Sequence, residues 1–129
     1  MKKIAILLFI IFCLNNFALA EDSNSSPANP RYRIYPTKNI WTFLKLDTMT
    51  GRIWQLQYST EGDAYRFETV LSDVNIILEL KKKGIIGRYT LYPTQNTYNF
   101  ILLDQIDGHT YQVQWGTKKE DRLLIPISY

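Results

Sequence analysis

Asp47 and Asp104, four glutamines at strand spacing and the single histidine are the first residues whose types and positions could do chemistry. Asp47 and Asp104 could form the carboxylate pair of a glycoside hydrolase, provided they lie within roughly 5–10 Å of each other. Gln55 and Gln57, and again Gln112 and Gln114, are two residues apart, the spacing that puts side chains on one face of a strand. Such an amide ladder could hydrogen-bond a sugar or an extended peptide. His109 is the lone histidine and Cys13 the lone cysteine, a donor set that builds no typical zinc site. No nucleophile–base pairing is visible either, because the serines and threonines fall in turns and linkers. Lys81, Lys82 and Lys83 could touch an anionic surface. Arg31 and Arg88 could hold a ligand, or form ion pairs with Asp47, Asp104 or Asp107.

Each of these has a plainer role in an element. Asp47 and Asp104 head the short segments Asp47–Gly51 and Asp104–Gly108. An aspartate there accepts backbone N–H groups, and a glycine takes the positive φ that closes a hairpin. The glutamines alternate with Trp54, Leu56 and Tyr58 in one segment and with Tyr111, Val113 and Trp115 in the other. A period of two with one apolar side reads as a half-buried strand, with the glutamines toward solvent. The three lysines read as solvated, and His109 as a surface residue beside a turn. The aromatics Tyr35, Trp41, Trp54, Tyr58, Tyr92, Tyr98, Tyr111 and Trp115 could make a stacking platform for carbohydrate. They could equally fill a core seam, as aromatics carry large buried area.

These segments recur because the chain is duplicated. Arg31–Ser59 aligns without gaps on Arg88–Gly116 at an offset of 57, and 12 of 29 positions are identical. With one residue skipped, Arg66–Ser72 aligns on Arg122–Ser128. Each repeat (31–72 and 88–128) then holds four strands, and the connector 73–87 belongs to neither. The first strand ends at Pro36, followed by a turn at Asn39. The second, Ile40–Leu46, is apolar on both faces and reads as a strand covered on both sides. The third is Arg52–Tyr58 and the fourth Tyr65–Leu71. In the connector, Ser72 or Asp73 could cap a short helix ending at Gly84, although Ile76–Leu80 also suits a strand.

The hairpin core LKLDTMTGRIWQL (44–56) resembles the blade repeat of quinoprotein-type β-propellers, in which LDxxTGxxW joins two strands through an Asp–Gly turn. The second copy departs from it at Tyr111 and Asp107. The longer pattern YPTxN…LDxxxG…QxQ resembles a group of short exported bacterial proteins. That likeness implies a secreted or periplasmic all-β protein.

At the N-terminus, Lys2 and Lys3 precede an apolar run, Ile4–Leu14, and Ala18-Leu19-Ala20 has the small-x-small form of a signal-peptidase site. Residues 1–20 therefore read as a signal peptide. The run is too short for a membrane span, and Cys13 lies inside it and not at the cleavage point, so no lipoprotein anchor is expected. Removal leaves 109 residues with a net charge of +1, which gives no electrostatic argument for nucleic acid. Residues 21–30 read as a flexible lead-in to a single β domain at 31–129.

The expectation is an all-β, antiparallel fold: two four-stranded meanders with pseudo-two-fold symmetry, packed as a sandwich or partly closed barrel. Its expected function is non-catalytic, without cofactor or metal: an interaction module of the bacterial envelope, monomer or homodimer, recognising a protein or peptide. The alternative is a carbohydrate-binding module. The residues expected to serve either are Trp41, Trp54, Gln55, Gln57, Tyr58, Tyr98, Tyr111, Gln112, Gln114 and Trp115.

Overall fold

A computed structural model describes residues 28–128. The expected signal peptide and most of the 21–30 lead-in lie outside the described residues. Eight strands form two sheets, each an antiparallel meander in sequence order. The first sheet holds β1 (Tyr32–Pro36), β2 (Thr42–Asp47), β3 (Ile53–Gln57) and β4 (Phe67–Val70). The second holds β5 (Tyr89–Pro93), β6 (Asn99–Asp104), β7 (Thr110–Gln114) and β8 (Leu123–Pro126). The sheets stack as two layers over one core and do not close into a barrel.

The turns follow from the shared residues. In the YPTxN turn the Thr37 hydroxyl donates to the carbonyl of Thr42, and Asn39 Oδ1 accepts the Trp41 amide at 2.9 Å. Thr94 and Asn96 repeat both bonds in the second sheet. In the hairpins, Gly51 and Gly108 take φ of 78° and 77° and donate to the carbonyls of Asp47 and Asp104. The left-handed conformation is cheap only for glycine.

Register determines which side chains share a face. In the first sheet Leu44 pairs with Gln55 and Leu46 with Ile53, and these four point to the core with Leu71. In the second sheet Phe100 pairs with Val113 and Leu102 with Tyr111, and these four point to the core with Tyr89, Leu91 and Leu124. By the repeat offset, Phe43 is the equivalent of Phe100, yet it lies on the outer face of its sheet. Ile101 is the equivalent of Leu44, and it too lies outside. The two meanders therefore share topology but stack front to back. A dyad that brought equivalent faces together does not describe the seam.

This stacking corrects two expectations. The third strand of the first repeat does not turn its glutamine outward: Gln55 is 2 % exposed, and Trp54 and Leu56 are half-buried on the outer side. In the second repeat Tyr111, Val113 and Trp115 are buried, as expected, and Gln112 and Gln114 face outward. The second strand of each repeat is covered on one face, not both, because each sheet has only one neighbour. Charge decides the orientation. Lys45 occupies the position of buried Leu102, and an unpaired ammonium is too costly for a core, so the Lys45 face must be the outer one.

The connector forms a one-turn helix, α1 (Ile76–Glu79), capped by Asn75, whose side chain accepts the Leu78 amide. Neither Ser72 nor Asp73 caps it. Lys81, with φ of 51°, ends it before Gly84. Ile76 is buried against Gly51, beside the seam.

Candidate binding surface

The carboxylates are committed to structure. Asp47 Oδ1 accepts the Met49 amide at 2.9 Å, and its other oxygen takes Arg31 at 3.0 Å. Asp104 Oδ1 accepts the Ile106 amide at 3.0 Å and the Asp107 amide at 3.2 Å. Arg88 donates to Asp104 and, at 2.8 Å, to Asp107. Lys82 reaches the same two carboxylates at 2.9 and 2.8 Å. The expectation that Lys81–Lys83 are solvated thus fails at Lys82, whose side chain is 11 % exposed and bridges the connector to the β6–β7 turn. Burial alone would raise the Asp104 carboxyl, but the hydrogen bonds from Lys82 and Arg88 outweigh it and bring the pKa down to about 2. Asp107 is also lowered, chiefly by its bond to Lys82. A carboxylate held ionised by two cations is a poor general acid at neutral pH. Its work is to clamp the connector, and Arg31 with Asp47 is a more open copy of it.

His109 is half-buried, with Nδ1 3.2 Å from Lys82 Nζ. It lines a cavity of about 480 Å³ between the connector and the β7–β8 hairpin, with Val74, Ile76, Leu80, Tyr111, Leu124 and Pro126 among its walls. The repeat pattern could not reveal this cavity, because one wall is the unrepeated connector. Among the described residues, no group of three or more His, Cys, Asp or Glu is placed to hold a metal ion. No helix among them is long and apolar enough to cross a membrane.

The ten expected site residues divide by position. Trp115 and Tyr111 are core residues, and the Trp115 indole donates to the carbonyl of Thr97 at 3.1 Å. Gln55 is locked in the seam: it donates to the Gly116 carbonyl at 3.1 Å and accepts the Gly116 amide at 3.3 Å. Gln112, on the outer face of the second sheet, donates to Asn99. Gln57 and Gln114 each donate to a backbone carbonyl of their own repeat, that of Tyr65 and that of Asp121. Trp41 and Tyr58 meet in a tilted contact at 5.2 Å, both exposed, beside a cleft of about 200 Å³ that Gln57 also lines. Tyr98 meets Trp115 in a tilted contact at 5.0 Å beside the equivalent cleft, about 290 Å³, which Gln114 lines.

Trp54 belongs to a different surface, the outer face of the first sheet. Tyr32 meets it edge-on at 6.4 Å, and Lys45 Nζ lies over its ring at 4.8 Å while pairing with Glu68. Next to them Ile34, Phe43, Leu56, Tyr58 and Phe67 line a shallow groove of about 450 Å³. Ile34 is 60 % exposed and Tyr32 50 %. Sequence reasoning missed Tyr32, Ile34, Phe43 and Leu56 as surface residues, because their copies Tyr89, Leu91, Phe100 and Val113 are all core. The chain matches no protein-family model, and neither the curated proteins nor the solved structures provide a match.

Proposed function

We propose that this chain is a non-catalytic interaction module of the bacterial envelope that recognises a protein or peptide. The outer face of the first sheet is the recognition surface. One observation carries the reading: this face keeps the aromatic and aliphatic residues that the second repeat buries, yet leaves them open. Apolar area of this kind, crossed by the Lys45–Glu68 ion pair and flanked at one end by Arg52, is characteristic of protein-binding surfaces. The test is capture from an envelope extract with the tagged chain, compared with Ile34→Glu. A captured protein lost with the variant supports the reading; capture unaffected by the variant refutes it.

The exposed, tilted Trp41–Tyr58 pair beside the cleft that Gln57 lines favours carbohydrate as a second reading, since a sugar ring packs on an aromatic face. A glycan array would show binding abolished by Trp41→Ala and unaffected by Ile34→Glu.

A further inference from the structure

Resting on that reading of the first sheet, we propose that its outer face receives the outer face of the second sheet of another copy, so that chains associate head to tail. The argument starts from the internal seam. There the Leu44–Gln55 face of the first sheet packs on the Phe100–Tyr111 face of the second. Because the repeats stack front to back, the two free faces are the sequence copies of the two faces already packed. The outer face of the first sheet, with Phe43, Trp54 and Leu56, is the counterpart of the buried face carrying Phe100, Tyr111 and Val113. The outer face of the second sheet, with Ile101, Leu103 and Gln112, is the counterpart of the buried face carrying Leu44, Leu46 and Gln55. One molecule thus carries both halves of a seam that it already makes once inside itself.

The polar lock of that seam is duplicated as well. Gln55 clasps the backbone of Gly116 through both its amide atoms. At the repeat offset of 57 the corresponding pair is Gln112 and Ser59. Both are half-buried, one on each free face or its rim. The intermolecular seam would set Gln112 of one copy on the Ser59 backbone of the next.

One position departs from the template. Lys45 stands where the internal seam has Leu102, which is fully buried. Its ammonium lies over the Trp54 ring and pairs with Glu68. Lys45 sits between Ile34 and Trp54 in the middle of the face, so its ion pair must be desolvated on docking, and it weakens the contact relative to the internal one. Since the contact joins unlike faces, it leaves one free face at each end of a pair. Growth stops only on closing a ring.

Sedimentation equilibrium on the purified protein tests this directly. Wild type is expected to show reversible association, and Lys45→Leu to strengthen it roughly tenfold by burying one more aliphatic side chain. Ile34→Glu, on one free face, and Ile101→Glu, on the other, should each be monomeric alone. Mixed in equal amounts they should form a dimer and nothing larger, since only one intact seam remains; that dimer also shows that both variants fold. If Ile101→Glu associates as wild type does, the contact joins two first sheets and the proposal is wrong. If Lys45→Leu stays monomeric at every concentration, self-association is wrong as well. Envelope-protein capture that depends on Ile34 would in that case leave the interaction reading standing, and absence of such capture would end both.

Discussion

The two repeats contain the same Arg–Asp pair at two levels of burial, which makes an internally controlled experiment. Asp104 is fully buried, with Arg88 5 % and Lys82 11 % exposed. Asp47 is also buried, but its partner Arg31 is 43 % exposed. The perturbation is Asp→Asn at each site, which keeps an oxygen for the turn amides and removes only the charge. At Asp47 the remaining arginine is half in water, and the expected loss is about 1 kcal/mol or less. At Asp104 two cations stay in a poorly solvated site with only Asp107 to offset them, and the expected loss is about 3–5 kcal/mol. With a urea m-value near 2 kcal/mol per molar, a loss of ~4 kcal/mol lowers the midpoint by roughly 2 M. Tryptophan fluorescence reads the transition, since Trp115 is buried. Acid adds a second arm. The folded-state pKa of Asp104, about 2, lies below the ordinary value of 3.8, so its contribution is present above pH 4 and lost as pH falls toward 2. The size of that loss is about 2 kcal/mol. Asp104→Asn should flatten this part of the pH profile. Equal midpoints for the two variants would refute the claim that burial separates the two pairs.

Two further outcomes follow from single residues. The Tyr89 hydroxyl is buried without a hydrogen-bond partner among the described residues, and burial pushes its pKa up to about 12. Tyr89→Phe should therefore change stability by less than about 0.5 kcal/mol at pH 7. It should also remove part of the loss of stability that wild type undergoes between pH 10 and 12, where the unfolded phenol ionises first; urea midpoints at pH 7 and 11 measure both. Gly51 and Gly108 share the same φ, but a Cβ at Gly51 would come within 3.0 Å of Ile76 Cδ1, whereas at Gly108 it would meet nothing within 4 Å. Gly108→Ala should lower stability by about 1 kcal/mol from backbone strain alone, and Gly51→Ala by about 1 kcal/mol more from crowding. Thermal melts of the pair would show a larger drop for Gly51→Ala, and indistinguishable curves would mean the connector does not pack where Ile76 stands.

Alternation along a strand is a local property, and it told which residues share a face in both repeats. It could not tell which face is buried, because that depends on the neighbour. The pattern Trp54, Gln55, Leu56, Gln57 and its copy Tyr111, Gln112, Val113, Gln114 look alike as strings, and each has an apolar and an amide side. Yet one buries the amide side and the other the apolar side. The amide side of the first repeat is rescued for the core by its sheet neighbours Leu44, Leu46 and Ile53, and by the Gly116 backbone that bonds both amide atoms of Gln55. That contact spans 61 residues and leaves no local trace. A signal did exist in the comparison of copies: one lysine, Lys45 against Leu102, forbids one of the two possible burials. Joined to the duplication, it orients the first sheet, the orientation makes the seam front to back, and a front-to-back seam leaves two unlike, complementary faces open. A strict dyad would have used up its matched pair of faces at the seam. The repeat stacked this way keeps one of each, so the duplication that builds the core also provides the surfaces by which a further copy would add.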